Sequence, residues 1–494
     1  MTGPPVRDIE SQKQDYEKPI PDQLFDQSFK VEKPRFNDWP FALFFWAVVA
    51  GFIAVAGITL NALKKTYGLQ GSSIYNSTND FTLNTNTVIL FGFVVVVGVV
   101  LSALVIVFAR MAPRFFITSG LILNIILGLG TCIFYFAMHY YSAAIVFLVF
   151  TLFLAFCYWR ARSRIPFSAT VLEITIDVMK RYPSTLITSF IGIIVSGLFS
   201  TLLSVVIVST YVKYDPNSQN SACNVGGGKC SHATLVGVLV FVVFAGYYIS
   251  EVIRNVIHVT IAGVYGTWYY LANSDQGEPR HPALGAFKRA MTYCFGSICF
   301  GSLIVSLIQL LKAGVQILKN DAFGQGDVCA GCGFLILDFI IGILEWLVRY
   351  FNHYAYCYVA LYGKNYIRSA RDTFDLIRFK GMDALINDCF INTSLNIWSI
   401  FAGYVCALLS YLYLRLTKPG YNSQGQYYAP VIAFAFLISG QITRIALTVI
   451  ESGVSTFFVA LAKDPEVFQM TNRDRFDEVF RNYPQVLQKI MSDH

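Results

Sequence analysis

The chain has 494 residues, of which 55% are hydrophobic, 16% aromatic and 14% charged, with a formal net charge of +7. A soluble globular chain carries about 25% charged residues, and the mean hydropathy here is +0.54. That little charge cannot coat soluble domains, so a soluble enzyme, a disordered regulator and a secreted disulfide scaffold are excluded and the bilayer is the solvent.

A helix needs about 20 mostly apolar residues to cross the hydrocarbon core. By that measure the chain offers ten spans, at about 41–62, 87–109, 115–137, 142–159, 183–212, 233–257, 291–318, 334–360, 391–414 and 429–462. The expected fold class is all-α, a polytopic membrane protein. Its expected organisation is a polar N-terminal tail over 1–38, a ten-helix transmembrane domain over 39–462 and a C-terminal tail over 463–494. The tail after 463 reads as a short polar helix or disorder.

Asn37-Asp38-Trp39-Pro40 opens the first span with a cap, an interfacial aromatic and a proline suited to a first helical turn. The polar stretch before it is not the short cationic start of a cleavable signal peptide, so the first helix reads as an uncleaved anchor. With the N-terminus in the cytosol, the inside segments hold 26 Lys and Arg and the outside segments 7. The remaining four, Arg254, Lys312, Arg349 and Arg444, lie within spans. This asymmetry predicts that both termini are cytosolic. The positive charge is then cytosolic dressing, and no nucleic-acid partner is expected.

Two marks in the outside loops agree with that orientation. Asn76-Ser77-Thr78 is a glycosylation sequon in the first outside loop. Cys223 and Cys230 bracket a glycine-rich turn in the third, where a disulfide is expected and two free thiols are the alternative. A second sequon at Asn392 falls at a cytosolic edge and should stay unmodified. Cys329 and Cys332 read as a small disulfide or two thiols, and not as a metal site, because a second ligand pair is missing.

The stretch 233–271 is apolar throughout and would measure about 58 Å as one helix, too long for a single crossing. It reads as one span that runs past the membrane or breaks, with Gly263 and Gly266 as the weak points of a hinge. Within it Glu251, Arg254, Asn255 and His258 fall at i, i+3, i+4 and i+7, on one helical face. Segments 166–182 and 365–390 are amphipathic and are expected along the cytosolic interface. In the second, Ile367, Ala370, Phe374 and Ile377 form one stripe, while Arg368–Asp372 and Arg371–Asp375 are placed to pair.

Ionisable groups inside spans are costly and face a partner or a cavity. Asp338, Glu345 and Arg349 lie in the eighth span, and Arg444 and Glu451 in the tenth. The bland reading makes Arg254, Arg349, Arg444 and Glu451 members of structural pairs that lock helices. The functional reading leaves an acidic group free for a cation or a proton: Glu345, near mid-membrane, first, then Glu251, nearer the cytosolic edge. Tyr247, Tyr248, Tyr265, Trp268, Tyr269 and Tyr270 gather near one polar helix, and Trp346, Tyr350 and Tyr354 near the other. Aromatic faces attract quaternary ammonium, although packing is the commoner role for any one of them. His258 reads as a hydrogen-bonded packing residue more than a proton relay. No GxSxG elbow, P-loop, HExxH or dinucleotide fingerprint is present, so neither catalysis nor a cofactor is expected.

Ile249-Ser250-Glu251-Val252-Ile253-Arg254-Asn255-Val256-Ile257-His258-Val259-Thr260, running on to Gly266-Thr267-Trp268-Tyr269-Tyr270, resembles the most characteristic stretch of the choline-transporter-like family. Cys299-Phe300-Gly301-Ser302-Leu303-Ile304 is similar to its next span. Asn352-His353-Tyr354-Ala355-Tyr356, Ala360-Leu361-Tyr362-Gly363-Lys364-Asn365-Tyr366 and Ser369-Ala370-Arg371-Asp372 are similar to its late signature. The resemblance covers roughly 90–460 and is most specific over 249–378. Phe36-Asn37-Asp38-Trp39-Pro40 and the short outer loops resemble the fungal, pH-nine-sensitive branch. Arg254 stands where many members have Lys, which keeps the charge and changes the geometry. The resemblance implies ten spans, cytosolic termini, plasma-membrane placement and, for some members, choline transport.

The expectation is a solute carrier that moves a choline-like cation by alternating access. Glu251, Asn255, His258, Trp268, Glu345, Trp346 and Tyr350 are the expected binding residues. The alternative is a non-transporting scaffold or sensor acting through the cytosolic amphipathic segments and tail.

Overall fold

In the computed structural model the described residues are 35–67, 85–214, 232–272, 277–387, 389–417 and 428–481. They form helices and no strand among the described residues. Ten are long and apolar enough to cross a membrane: α1 (Trp39–Tyr67), α2 (Thr85–Met111), α3 (Pro113–Ala137), α4 (Tyr141–Arg160), α6 (Ser184–Tyr214), α7 (His232–Leu271), α9 (Phe295–Gly324), α10 (Val328–Tyr362), α13 (Ile391–Thr417) and α14 (Tyr428–Lys463). Between and after them lie the shorter α5 (Ile165–Arg181), α8 (Pro282–Met291), α11 (Tyr366–Phe379), α12 (Met382–Asn387), α15 (Pro465–Thr471) and α16 (Arg473–Phe480). All ten expected spans are present. Asn76, Cys223 and Cys230 lie outside the described residues, while Cys329 and Cys332 carry free thiols.

Local chemistry sets the helix ends. Pro at the first turn starts α3, α5, α8 and α15, where its missing N–H would go unpaired anyway. Asp327 caps α10 by accepting from the Ala330 N–H at 3.0 Å. Gly363 ends α10 in the left-handed region, at φ 62°, which costs glycine nothing.

Residues 35–38, α5, α8, α11, α15 and α16 gather at one end of the bundle, called proximal here; α1 starts and α14 finishes there. Helix α7 is the hub and packs on α1, α6, α8, α9, α10 and α14. It is one continuous helix through Gly263 and Gly266, so of the two expected readings it runs past the membrane and does not break. A Cβ at Gly263 would meet the Ala286 Cβ at 2.8 Å, so this glycine admits the close approach of α8.

Two other expectations are corrected. Helix α5 does not lie on an interface: eleven of its residues are buried, beneath α14 and α16, with Phe167 stacked on Phe458. Its small and β-branched residues fit a crowded site between helices. Helix α11 buries Tyr366, Ser369, Thr373 and Leu376 and exposes Ile367 and Phe374, as an interfacial helix would. Asp372 pairs with Lys364 at 2.6 Å instead of with Arg368. Residues 464–481 continue into the fold: Phe468, Phe476, Val479 and Phe480 of α15 and α16 are buried in the main core.

Candidate functional site

The intramembrane charges form one ladder across three helices. Arg254 Nη2 lies 2.8 Å from Glu251 Oε2, one turn away on α7. Glu251 Oε1 lies 2.8 Å from Arg349 Nη2 on α10. Arg349 Nε donates to Glu345 Oε1 at 3.0 Å, and Lys312 Nζ of α9 reaches Glu345 Oε2 at 2.9 Å. The order Arg254, Glu251, Arg349, Glu345, Lys312 alternates in sign. Both carboxylates are therefore paired on both oxygens, as buried charges in an apolar medium must be. Glu251 and Glu345 belong to a single site, not to two depths. One donor, Arg349 Nη1, has no hydrogen-bond partner among the described residues.

The face expected on α7 is inward at three of its four residues. Glu251, Asn255 and His258 are buried, and Arg254 emerges with 56% of its side chain exposed. Asn255 donates to Ser302 Oγ at 2.9 Å. Around it Tyr356 donates to the Ile298 carbonyl, Asn352 donates to the Gly301 carbonyl at 3.0 Å, and the Tyr366 hydroxyl donates to Asn352 Oδ1. His258 sits between α10 and α14. Its Nδ1 is 2.7 Å from Ser452 Oγ, its Nε2 is 2.9 Å from the His353 carbonyl, and its ring stacks on His353 at 4.2 Å. These contacts fasten helices together, which is the packing role expected of His258.

Beside the ladder, α9 and α10 frame an open groove of about 480 Å³ lined by Lys312, Gln316, Asp338, Phe339, Ile343 and Trp346. Asp338 is held at its rim by Lys319 at 2.6 Å. Trp346 is 64% exposed and stacks on Tyr350 with ring centres 5.8 Å apart. The groove thus offers an aromatic face, a carboxylate and a lysine that bridges to Glu345 of the ladder.

A family model described as plasma-membrane choline transporter matches residues 145–466. This chain belongs to that family. Protein PNS1 of Debaryomyces hansenii is 80% identical over 489 residues, covering 99% of this chain and 95% of its own length. Protein PNS1 of Candida albicans is 72% identical over 97% of this chain and 92% of its own, and that of Saccharomyces cerevisiae 54% over 94% and 87%. The chain is thus a fungal member of the choline-transporter-like family, in the PNS1 branch.

The structure does not bring all the expected aromatics of this family member together. Trp268 lies at the proximal end of α7, against Tyr269 and Phe468, about 25 Å along the helix from Glu251. Tyr248, Tyr265 and Tyr269 send their hydroxyls to the carbonyls of Cys299, Thr175 and Asp464. They fill the core between helices, and Tyr269 borders with Trp268 and Phe468 a pocket of only about 10 Å³. Tyr350, stacked on Trp346, meets Tyr354 edge-on further along α10. Arg444 and Glu451 share a pocket of about 10 Å³ with Asn392 and Asn396, and no ion pair joins them among the described residues.

Sequence reasoning misses Lys312 as the partner of Glu345, since a lone lysine in a span carries no mark of which helix faces it. It also misses Asn352, Tyr356 and Tyr366. Their signal is present in the Asn352 to Tyr366 stretch, but in the sequence it amounts only to a resemblance.

Proposed function

We propose that this chain is a plasma-membrane carrier for choline or a related small organic cation, working by alternating access with both termini in the cytosol. The observation that carries the reading is the charge ladder ending at the α9–α10 groove. Its volume falls within the about 300–1,000 Å³ range of small-molecule sites. Trp346 supplies a π face, worth about 0.5–2 kcal/mol to an ammonium group. Glu345 supplies countercharge. Because Lys312 already holds Glu345, an incoming cation exchanges with a tethered one: the Lys312 ammonium leaves Glu345 Oε2 as the substrate arrives. Arg349 Nη1 is an unspent donor for a substrate hydroxyl. Glu251, Asn255 and His258 tie α7 to α9, α10 and α14, so a change at Glu345 reaches three neighbouring helices. Trp268 has no part in the groove. Membership of the family supports membrane transport, and the 26 to 7 split of basic residues supports the orientation.

The test is labelled-choline counterflow in liposomes carrying the purified chain, against protein-free vesicles. Saturable counterflow that excess unlabelled choline competes away is expected. Its absence from folded, inserted protein would remove choline as the substrate and favour a scaffold role.

A further inference from the structure

Two aspartates from the two ends of the membrane domain meet on one five-residue corner. The corner is Tyr362 to Tyr366, the turn from α10 into α11. From the N-terminal side, Asp38 Oδ2 accepts from the Tyr366 N–H at 2.8 Å and from Ser297 Oγ of α9 at 2.7 Å. Asn37 Nδ2 donates to the Gly363 carbonyl at 2.7 Å, and the Asn37 N–H donates to the Tyr293 carbonyl at 3.1 Å. From the C-terminal side, Asp464 Oδ2 accepts from Tyr362 at 2.8 Å and from Tyr270 of α7 at 2.6 Å.

These contacts are more than helix capping. Asp38 has the sequence position of a cap for its own helix, and it caps α11 instead by satisfying an N–H that α11 leaves unpaired. It does so from the left-handed region, at φ 52°, a conformation uncommon outside glycine. Residues 37 and 38 also lie so close to α9 that a Cβ at Gly296 would collide with their carbonyl oxygens. The corner in turn connects inward: Tyr366 bonds Asn352, and Asn352 bonds the Gly301 carbonyl, beside Ser302 and Asn255.

We propose that the 362–366 corner is the gate of the proximal end, and that Asp38 and Asp464 are its two latches. Releasing both carboxylates removes the charged hold of the α1 and α14 ends on the corner, so that the last turn of α10 parts locally from α7 and α9 while the separate cluster around Cys406 stays packed. The latch needs no assumption about the substrate. It makes the segments flanking the membrane domain the natural place to control opening, since each latch residue sits at one edge of it.

A native thiol reports on the gate. Cys294 is fully buried at the start of α9, with its sulfur 3.8 Å from the Val359 carbonyl of α10. Cys406 is fully buried in another part of the bundle, against the Val94 carbonyl of α2. The full chain in liposomes is treated with N-ethylmaleimide, and labelling of each cysteine is followed by peptide mass spectrometry. In Asp38→Asn/Asp464→Asn, and separately in Gly296→Ala, Cys294 labelling should rise about tenfold or more, in line with loss of charge-assisted hydrogen bonds, with Cys406 unchanged. An unchanged Cys294 rate would overturn the gate. So would a parallel rise at Cys406, because the aspartates would then support the whole fold and not one opening.

Discussion

Glu251 Oε1 and Arg349 Nη2 stand 2.8 Å apart near the middles of α7 and α10, and this one contact joins every charge of the ladder. Removing one partner leaves the other with a single counter-charge, Glu345 for Arg349 or Arg254 for Glu251, so the loss falls below the about 3–5 kcal/mol of a fully stranded buried charge. Glu251→Gln and Arg349→Gln should each lower the unfolding temperature in detergent. The double substitution should recover part of that loss, because neither of the two charges is then left short of a partner. Arg254→Ala should do little, since the exposed side of the pair is solvated and worth about 1 kcal/mol or less. Additive losses in the double variant would show that the two groups are not coupled.

Lys312→Met removes the tethered cation from Glu345. If a substrate exchanges with that ammonium, KM for choline counterflow should fall several-fold and turnover should slow, because nothing drives the cation back out. Lys312→Arg should sit closer to the parent on both counts. Equal losses in binding and turnover in both variants would mean that Lys312 only holds α9 to α10.

Gly263→Ala distinguishes a hinge from a packing site. The added methyl would press on Ala286 at 2.8 Å, and overpacking costs about 1–3 kcal/mol. A lowered unfolding temperature is expected. A variant of unchanged stability that transports slowly would restore the hinge.

Asp177 on α5 links the membrane domain to α16. Partial burial pushes its carboxyl up, and hydrogen bonds from Lys180 and Arg475, both at 2.8 Å, more than offset this and hold it below the ordinary carboxylate range. A depressed carboxyl stabilises the folded state above the unfolded value, about 3.9, and that contribution is lost as pH falls through the lower folded value. Protease protection of 464–481 should therefore be constant from about pH 8 to about pH 5 and weaken towards about pH 3. Asp177→Asn should show the weaker protection throughout and no pH step. A step of the same size in that variant would assign it to another group.

Much of this protein is legible in its sequence. Ten apolar stretches, each too long for anything but a crossing, and a lopsided distribution of Lys and Arg follow from composition along the chain, because the bilayer tests each helix separately. The Glu345–Arg349 pair is legible too, since i, i+4 spacing is a property of one helix. Pairing between helices is not. Which cation meets Glu345, why Glu251 shares a site with it, and why Trp268 ends far from Trp346 depend on how three helices are rotated and staggered against one another. Local periodicity carries no such information. The same holds for Asp38, which has the sequence of a helix cap and serves a helix 328 residues further along. Tertiary structure decided those partners, because a charge in an apolar medium takes the counter-group that packing delivers.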